Sequence, residues 1–118
     1  MRRSLTRQDR LRRNRDIREL FSAAARVEGR GMKLLYRSNG GQANRFAVVV
    51  ARGCGGAVRR NREKRITREA YRSLKETVSA GNDLVFLVVR FGADYADRLA
   101  SMSSLLSRAG LRGGQQPR

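Results

Sequence analysis

The sequence predicts an α+β sandwich, with helices packed on a small sheet, and three observations carry that reading. Two six-residue apolar runs, "FAVVVA" and "LVFLVV", have the length and branched side chains of strands and are too short to span a bilayer. Between and around them, apolar residues recur at helical spacing, with glycine-rich clusters at the boundaries. A chain of 118 residues, 40% of them hydrophobic, has enough material for one modest core and no second.

Residues 1–13 form a basic N-terminal segment without the apolar stretch of a signal peptide. Asn14 can cap a helix, with Asp16 near its positive end. Ile17, Leu20, Phe21, Ala24 and Ala25 then make one apolar stripe over residues 15–26. "EGRG" breaks that helix. "MKLLYRS" (32–38) reads as a strand, "NGGQAN" (39–44) as a reversal, and "RFAVVVA" (45–51) as a strand whose continuous apolar run predicts burial on both faces. The glycines of "RGCGGA" (52–57) end it. The longest helix follows, from 57 to about 79. Ile66, Ala70, Leu74 and Val78 lie on one side, and Lys64, Arg65, Arg68, Arg72 and Lys75 on the other. Gly81 fits a helix C-cap, and "LVFLVVR" (84–90) is a buried strand. Tyr95, Leu99, Met102 and Leu106 mark a last helix that Gly110 ends. The order is α-β-β-α-β-α, and the long helix between the second and third strands permits those two to lie parallel. The chain divides into the basic segment 1–13, an α+β domain over 14–109 and a flexible polar tail over 110–118.

Charge decides between classes of function. Lys and Arg total 27 against 10 acids, for a formal net charge of +17 and a pI near 11.8. Such a domain attracts polyanions. Arginine, whose planar fork grips phosphate at two points and stacks on bases, favours nucleic acid over membrane. A membrane surface would want exposed Trp or Leu beside the cations, and the basic helix has small apolar residues there. With no histidine, neither a Ser-His nor a Cys-His pair can form. One cysteine, Cys54, allows no internal disulfide, excludes a cysteine–histidine zinc site and reads as a small buried residue at the turn. The acids are scattered, with Glu69 and Glu76 moderating charge on the long helix, so no catalytic or metal-binding set is predicted. The glycine turn lacks G-x-x-x-x-G-K-[ST], and Val58 stands where a third glycine of G-x-G-x-x-G would be. Gly53, Gly55 and Gly56 are therefore read as a tight strand-to-helix turn. "VRRNREKRITR" (58–68) holds six cations against one acid, a helix face suited to a row of phosphates. Phe46 and Phe86 belong to the core, while Phe21 and Tyr36 are open to stacking on unpaired bases.

"AVRRNREKRITREAYR" (57–72) resembles the RNR signature of the protein subunit of bacterial ribonuclease P, in Ala57, Val58, Arg60-Asn61-Arg62, Lys64-Arg65, Arg68-Glu69 and Tyr71. "RLRRNRDIRELF" (10–21), "RFAVVVARGCGGAV", "LLYR" and "DLVFLVV" are similar to that family in order and spacing, over roughly residues 4–108. Gly53 and Gly56 stand where the family has a basic residue and an asparagine, Cys54 and Glu63 where it has aliphatic residues, and Ile17 where it has phenylalanine. The resemblance implies a mixed sheet with a left-handed β-α-β crossover, a rarity among such connections. It implies a protein that binds a catalytic RNA and promotes endonucleolytic removal of the 5′ leader from precursor tRNA. In that family Mg2+ is held mainly by the RNA, which performs the hydrolysis. The RNA-binding residues would be Arg59, Arg60, Asn61, Arg62, Lys64, Arg65, Arg68 and Arg72. The leader cleft would hold Ile17, Phe21, Tyr36 and Arg52, with Arg60 and Asn61 at its rim. The implied partners are ribonuclease P RNA and precursor tRNA, with no membrane or small-molecule substrate, in the cytoplasm. A small ribosomal or other structural RNA-binding protein is the alternative.

Overall fold

The computed structural model describes residues 11, 14–53 and 55–112. Its elements run α1 (Asn14–Ala23), β1 (Ala25–Glu28), β2 (Met32–Ser38), β3 (Arg45–Val50), α2 (Ala57–Leu74) with a 3-10 turn over Lys75–Thr77, β4 (Asn82–Val88) and α3 (Tyr95–Arg108). The sheet order is β1-β2-β4-β3. The β1–β2 and β2–β4 pairs are antiparallel, and β3 runs parallel to β4. The fold is the expected α+β sandwich on a mixed sheet, with α2 bridging the parallel pair.

Alternation along the strands divides the core in two. Leu84, Phe86 and Val88 of β4 join Met32, Leu34, Phe46 and Val50 beneath Ala70, Tyr71 and Leu74 of α2 and Met102, Leu105 and Leu106 of α3. The Tyr71 ring stacks on Phe46 at 4.1 Å and tilts against Phe86 at 5.8 Å. Phe46 and Phe86 are thus core residues, as read from the sequence. On the other face of the sheet, Leu35 and Val85 meet Leu20 of α1 and Leu11. The Leu11 N–H donates to the Phe46 carbonyl at 2.7 Å.

Four local features differ from the sequence reading. The helical stripe predicted through Ala25 stops at Ala23, because Ala25–Glu28 pair with Lys33–Tyr36 as an extra edge strand. The second predicted strand is not buried on both faces. As β3 it lies at the sheet edge, and Ala47 and Val49 are half-buried on the α1 side. Gly81 does not cap a helix. It has φ +85 in the turn before β4, and a Cβ there would lie 2.7 Å from the Gly41 carbonyl oxygen. The segment after Gly110 begins inside the core, since Leu111 is buried and its carbonyl accepts the Ser79 N–H at 2.6 Å. Residues 1–10, 12–13 and 113–118 of the predicted terminal segments, and Cys54, lie outside the described residues.

An ion pair fastens α2 to α3. Glu63 and Arg98 are each 2% exposed and hydrogen-bonded to each other, and Glu63 Oε2 also accepts the Gly92 N–H at 3.0 Å. Burial pushes the Arg98 guanidinium below its ordinary pKa, and the Glu63 charge opposes that shift. Thus Glu63, an acid where an aliphatic residue was expected, has its compensation 35 residues on. Glu63→Leu alone leaves Arg98 buried without a countercharge and is expected to cost about 3–5 kcal/mol. Glu63→Leu with Arg98→Met should recover most of that loss. Urea unfolding of the single and double variants measures both, and equal stabilities would show that the pair is not coupled.

Candidate nucleic-acid interface

α2 combines two surfaces in one helix. At 3.6 residues per turn, Glu63, Thr67, Ala70, Tyr71 and Leu74 share its buried side. Asn61, Arg65, Arg68 and Arg72 fall away from it, Lys64 lies on its flank, and none is buried. Lys64 and Arg65 make no side-chain hydrogen bond or ion pair among the described residues, whereas Arg72 pairs with Glu69. Arg60 and Arg62, two residues apart, take opposite flanks. Arg60 and Lys64 lie on the stripe of Tyr71, whose ring stacks on Phe46 of β3, and so border the β3 edge of the sheet. Arg62 lies on the stripe of Ser73, whose Oγ is 2.6 Å from the Tyr95 hydroxyl, and so borders α3. The Arg59 guanidinium sits over the Phe91 ring at 5.4 Å from its centroid.

The start of α2 adds to this potential. Gly56 supplies no side-chain cap, and the first turn contains no acid. The free amides and positive dipole end there stand beside Arg59 and Arg60, an arrangement that favours an approaching anion. Val58 is 84% exposed within this basic patch and offers an apolar contact to a sugar or base.

A second surface lies across the sheet. α1 spans ten residues and buries only Leu20 of its own length. Ile17, Phe21, Ala47, Val49 and Leu87 are left half-buried around the Leu20–Leu35–Val85 cluster. Charged groups bound this apolar floor at one end of β3. Arg45 grips Asp83 with two hydrogen bonds, of 3.0 and 2.9 Å, and that fork raises its pKa. Asp83, 1% exposed, also lies 3.9 Å from Arg37, which pairs with Glu19 of α1 at 3.2 Å. The strip forms because Arg37, Asp83 and Arg45 stand in register on β2, β4 and β3. Arg52, exposed, follows the other end of β3.

The structure therefore brings Ile17 and Phe21 together and sets Arg52 just beyond β3, but it separates Tyr36 from them. Alternation along β2 turns Leu35 and Arg37 toward α1, while Tyr36 packs on the opposite face with the α2–α3 core. Ala47, Val49 and Leu87, missed as site residues, take its place. Their apolar runs signalled burial, and only their position facing a short α1 leaves them open. Among the described residues no three Asp, Glu, His or Cys side chains gather in a metal-binding group, and no helix is long and apolar enough to cross a membrane.

Comparisons with known proteins agree with this geometry. Residues 5–110 match the family model described as Ribonuclease P. The chain is similar to the ribonuclease P protein component of Clostridium botulinum, with 32% identity over 107 residues, covering 88% of this chain and 96% of the relative. It is also similar to that of Thermotoga petrophila, with 36% identity over 84 residues, 71% of this chain and 72% of the relative. Among solved structures, the RNase P protein from Thermotoga maritima superposes with a TM-score of 0.74 at 30% identity, covering 84% of this chain and 96% of that one. The Staphylococcus aureus RNase P protein shares the fold, with a TM-score of 0.77 at 21% identity over 89% of this chain and 98% of its own.

Removing exposed cations from the outer face of α2 tests its role directly. Lys64→Ala with Arg65→Ala is expected to weaken binding to a structured RNA and to lower the slope of log affinity against log salt by about 0.7–0.9 for each phosphate no longer neutralised. An unchanged slope would make these side chains solvated bystanders.

Proposed function

The chain belongs to the ribonuclease P protein family, and we propose that it serves as the protein component of a ribonuclease P, binding the RNA subunit along α2 and the 5′ leader of precursor tRNA on the α1 face of the sheet. The carrying observation is the adjacency of two unlike surfaces. A helix with a cationic outer face borders, at the β3 edge, a half-open apolar floor. Folded RNA presents phosphates along its grooves, and a rigid basic helix neutralises several at once. A single-stranded leader presents unstacked bases as well as phosphates. Phe21, Ile17, Val49 and Leu87 give those bases an apolar bed, which is tolerant of sequence because every base has a stackable face. Arg52 beyond one end of β3, and Arg60 and Lys64 along its edge, supply cations for the intervening phosphates, while Arg45 and Arg37 at the other end are engaged by Asp83 and Glu19.

In this reading the chain's own groups bind and orient, and the endonucleolytic step that yields the mature tRNA 5′ end belongs to the RNA subunit. In the same reading, the metal ions that support hydrolysis are held mainly by the RNA. The cytoplasm is the corresponding site of action. The family match over residues 5–110 favours this role over that of a ribosomal RNA-binding protein.

Two results are expected from one reconstitution. The protein with Mg2+ alone leaves precursor tRNA intact, and adding ribonuclease P RNA restores leader removal. Ile17→Ala with Phe21→Ala should lower the affinity of the reconstituted complex for leader-bearing precursor while leaving its affinity for mature tRNA unchanged. Cleavage by RNA-free protein would refute the division of labour. Equal losses for both tRNAs would refute the leader site.

A further inference from the structure

We propose that the groove between the β1–β2 turn and α3 is a second RNA-backbone site, which takes a phosphodiester strand of the ribonuclease P RNA continuing from α2. This rests on the reading that α2 meets that RNA. The groove is a cavity of about 400 Å3 whose walls include Arg30, Arg90, Phe91, Asp97, Arg98 and Ser101. It runs on into a neighbouring hollow of about 300 Å3 that shares Arg30 and Ser101 and ends at Ser104 and Arg108. Two hollows in line suit an extended chain better than a single compact anion.

The walls are positive and held in place. The Gly31 carbonyl accepts the N–H groups of Val89 at 2.9 Å and Arg90 at 3.2 Å, clamping the hairpin turn to the end of β4. Gly31 has φ +78, and a Cβ there would lie 3.1 Å from the Arg90 Cβ, so glycine lets the two segments close up. Arg30 and Arg90 thus line one cavity, and neither makes a side-chain hydrogen bond or ion pair among the described residues. Arg108 donates from Nη2 to the Glu28 carbonyl at 2.9 Å, which fixes its guanidinium by one nitrogen. Arg98, though paired with Glu63, keeps its buried Nε without a hydrogen-bond partner. Asp97 is the one carboxylate in either wall among the described residues. Along α3 the lining includes Ala100, Ser101 and Ser104, which are small enough to admit a sugar-phosphate backbone and bear two hydroxyl groups. Continuity with the first site is direct, because the Phe91 ring that lines the groove lies beneath Arg59 of α2.

The test is equilibrium binding of the full chain to ribonuclease P RNA across a salt series, with circular dichroism to confirm folding. Arg30→Ala with Arg90→Ala should reduce the log–log salt slope by about 0.7–0.9 for each phosphate that goes unpaired. Ser101→Trp keeps every charge while filling the groove and should weaken binding at fixed salt several-fold, with Ser104→Trp in its place if that variant fails to fold. Wild-type affinity in the tryptophan variant would overturn the proposal, since general loss of charge would then explain the arginine result. Lys64→Ala with Arg65→Ala, run in parallel, separates the two readings. If that variant loses slope and the Arg30/Arg90 variant does not, the groove is refuted and the α2 site stands. If neither loses slope, the α2 site fails with it.

Discussion

The parallel pairing of β3 with β4 is the constraint on which the rest of the molecule depends. Two parallel neighbours cannot be joined by a hairpin, so the chain must travel back the length of the sheet before re-entering it. α2 makes that return, and its buried side is fixed by the strands it crosses, through the Tyr71 ring on Phe46 and Phe86. Once that side is set, helical geometry leaves no freedom in where Lys64, Arg65, Arg68 and Arg72 point. The cationic surface is therefore a by-product of how α2 packs on the sheet.

A domain with a net charge of +17 must still hold together. Two buried acids act near the two ends of the central strand β4. At its start, Asp83 gathers Arg45 and Arg37 from the neighbouring strands, and Arg37 reaches Glu19 of α1. Beyond its end, Glu63 takes Arg98 and the Gly92 amide, locking α2 to α3. Each places an acid where arginines converge beside the core; on the outer face of α2, Arg72 pairs with Glu69, and Lys64 and Arg65 have no ion-pair partner among the described residues. Replacement of such pairs by apolar residues is often neutral in stability, so their value here lies in where they direct the remaining cations.

Much of this was legible in the sequence because it rests on local periodicity. The three main strands, the three helices and the two-sided character of α2 follow from spacing alone. What was not legible depended on tertiary pairing. β1 is four residues long, and Ala25 extended the helical stripe naturally, so only the partner strand β2 reveals it. Tyr36 looked available for stacking, but its side of the sheet is set by the parity of β2 relative to a helix far away in sequence. Glu63 stood where the resembled family has an aliphatic residue, and only the fold reveals that Arg98, 35 residues on, turns inward to meet it. Leu111 sat in a glycine-rich polar tail, and its backbone bond to Ser79 could not be read from composition.

The half-open face of β3 has a structural cost that the cations offset. An edge strand with exposed apolar side chains invites pairing with another chain. A longer α1 could cover Ala47 and Val49 and remove that hazard, and it would also remove the floor on which unpaired bases are proposed to lie. The chain keeps the face half-open and borders it with cations: Arg52 beyond the end of β3, and Arg60 and Lys64 of α2 along its edge. Like charges on a second copy repel, so self-association is disfavoured at the place where apolar surface is exposed. A polyanion reverses the sign of that interaction. In the proposed role, the same border of cations that disfavours another copy of the chain would draw in a phosphate backbone, and bases would cover the apolar floor. In that role, resistance to self-association and recognition of RNA rest on one set of side chains, and a substitution that weakens the border is expected to weaken both.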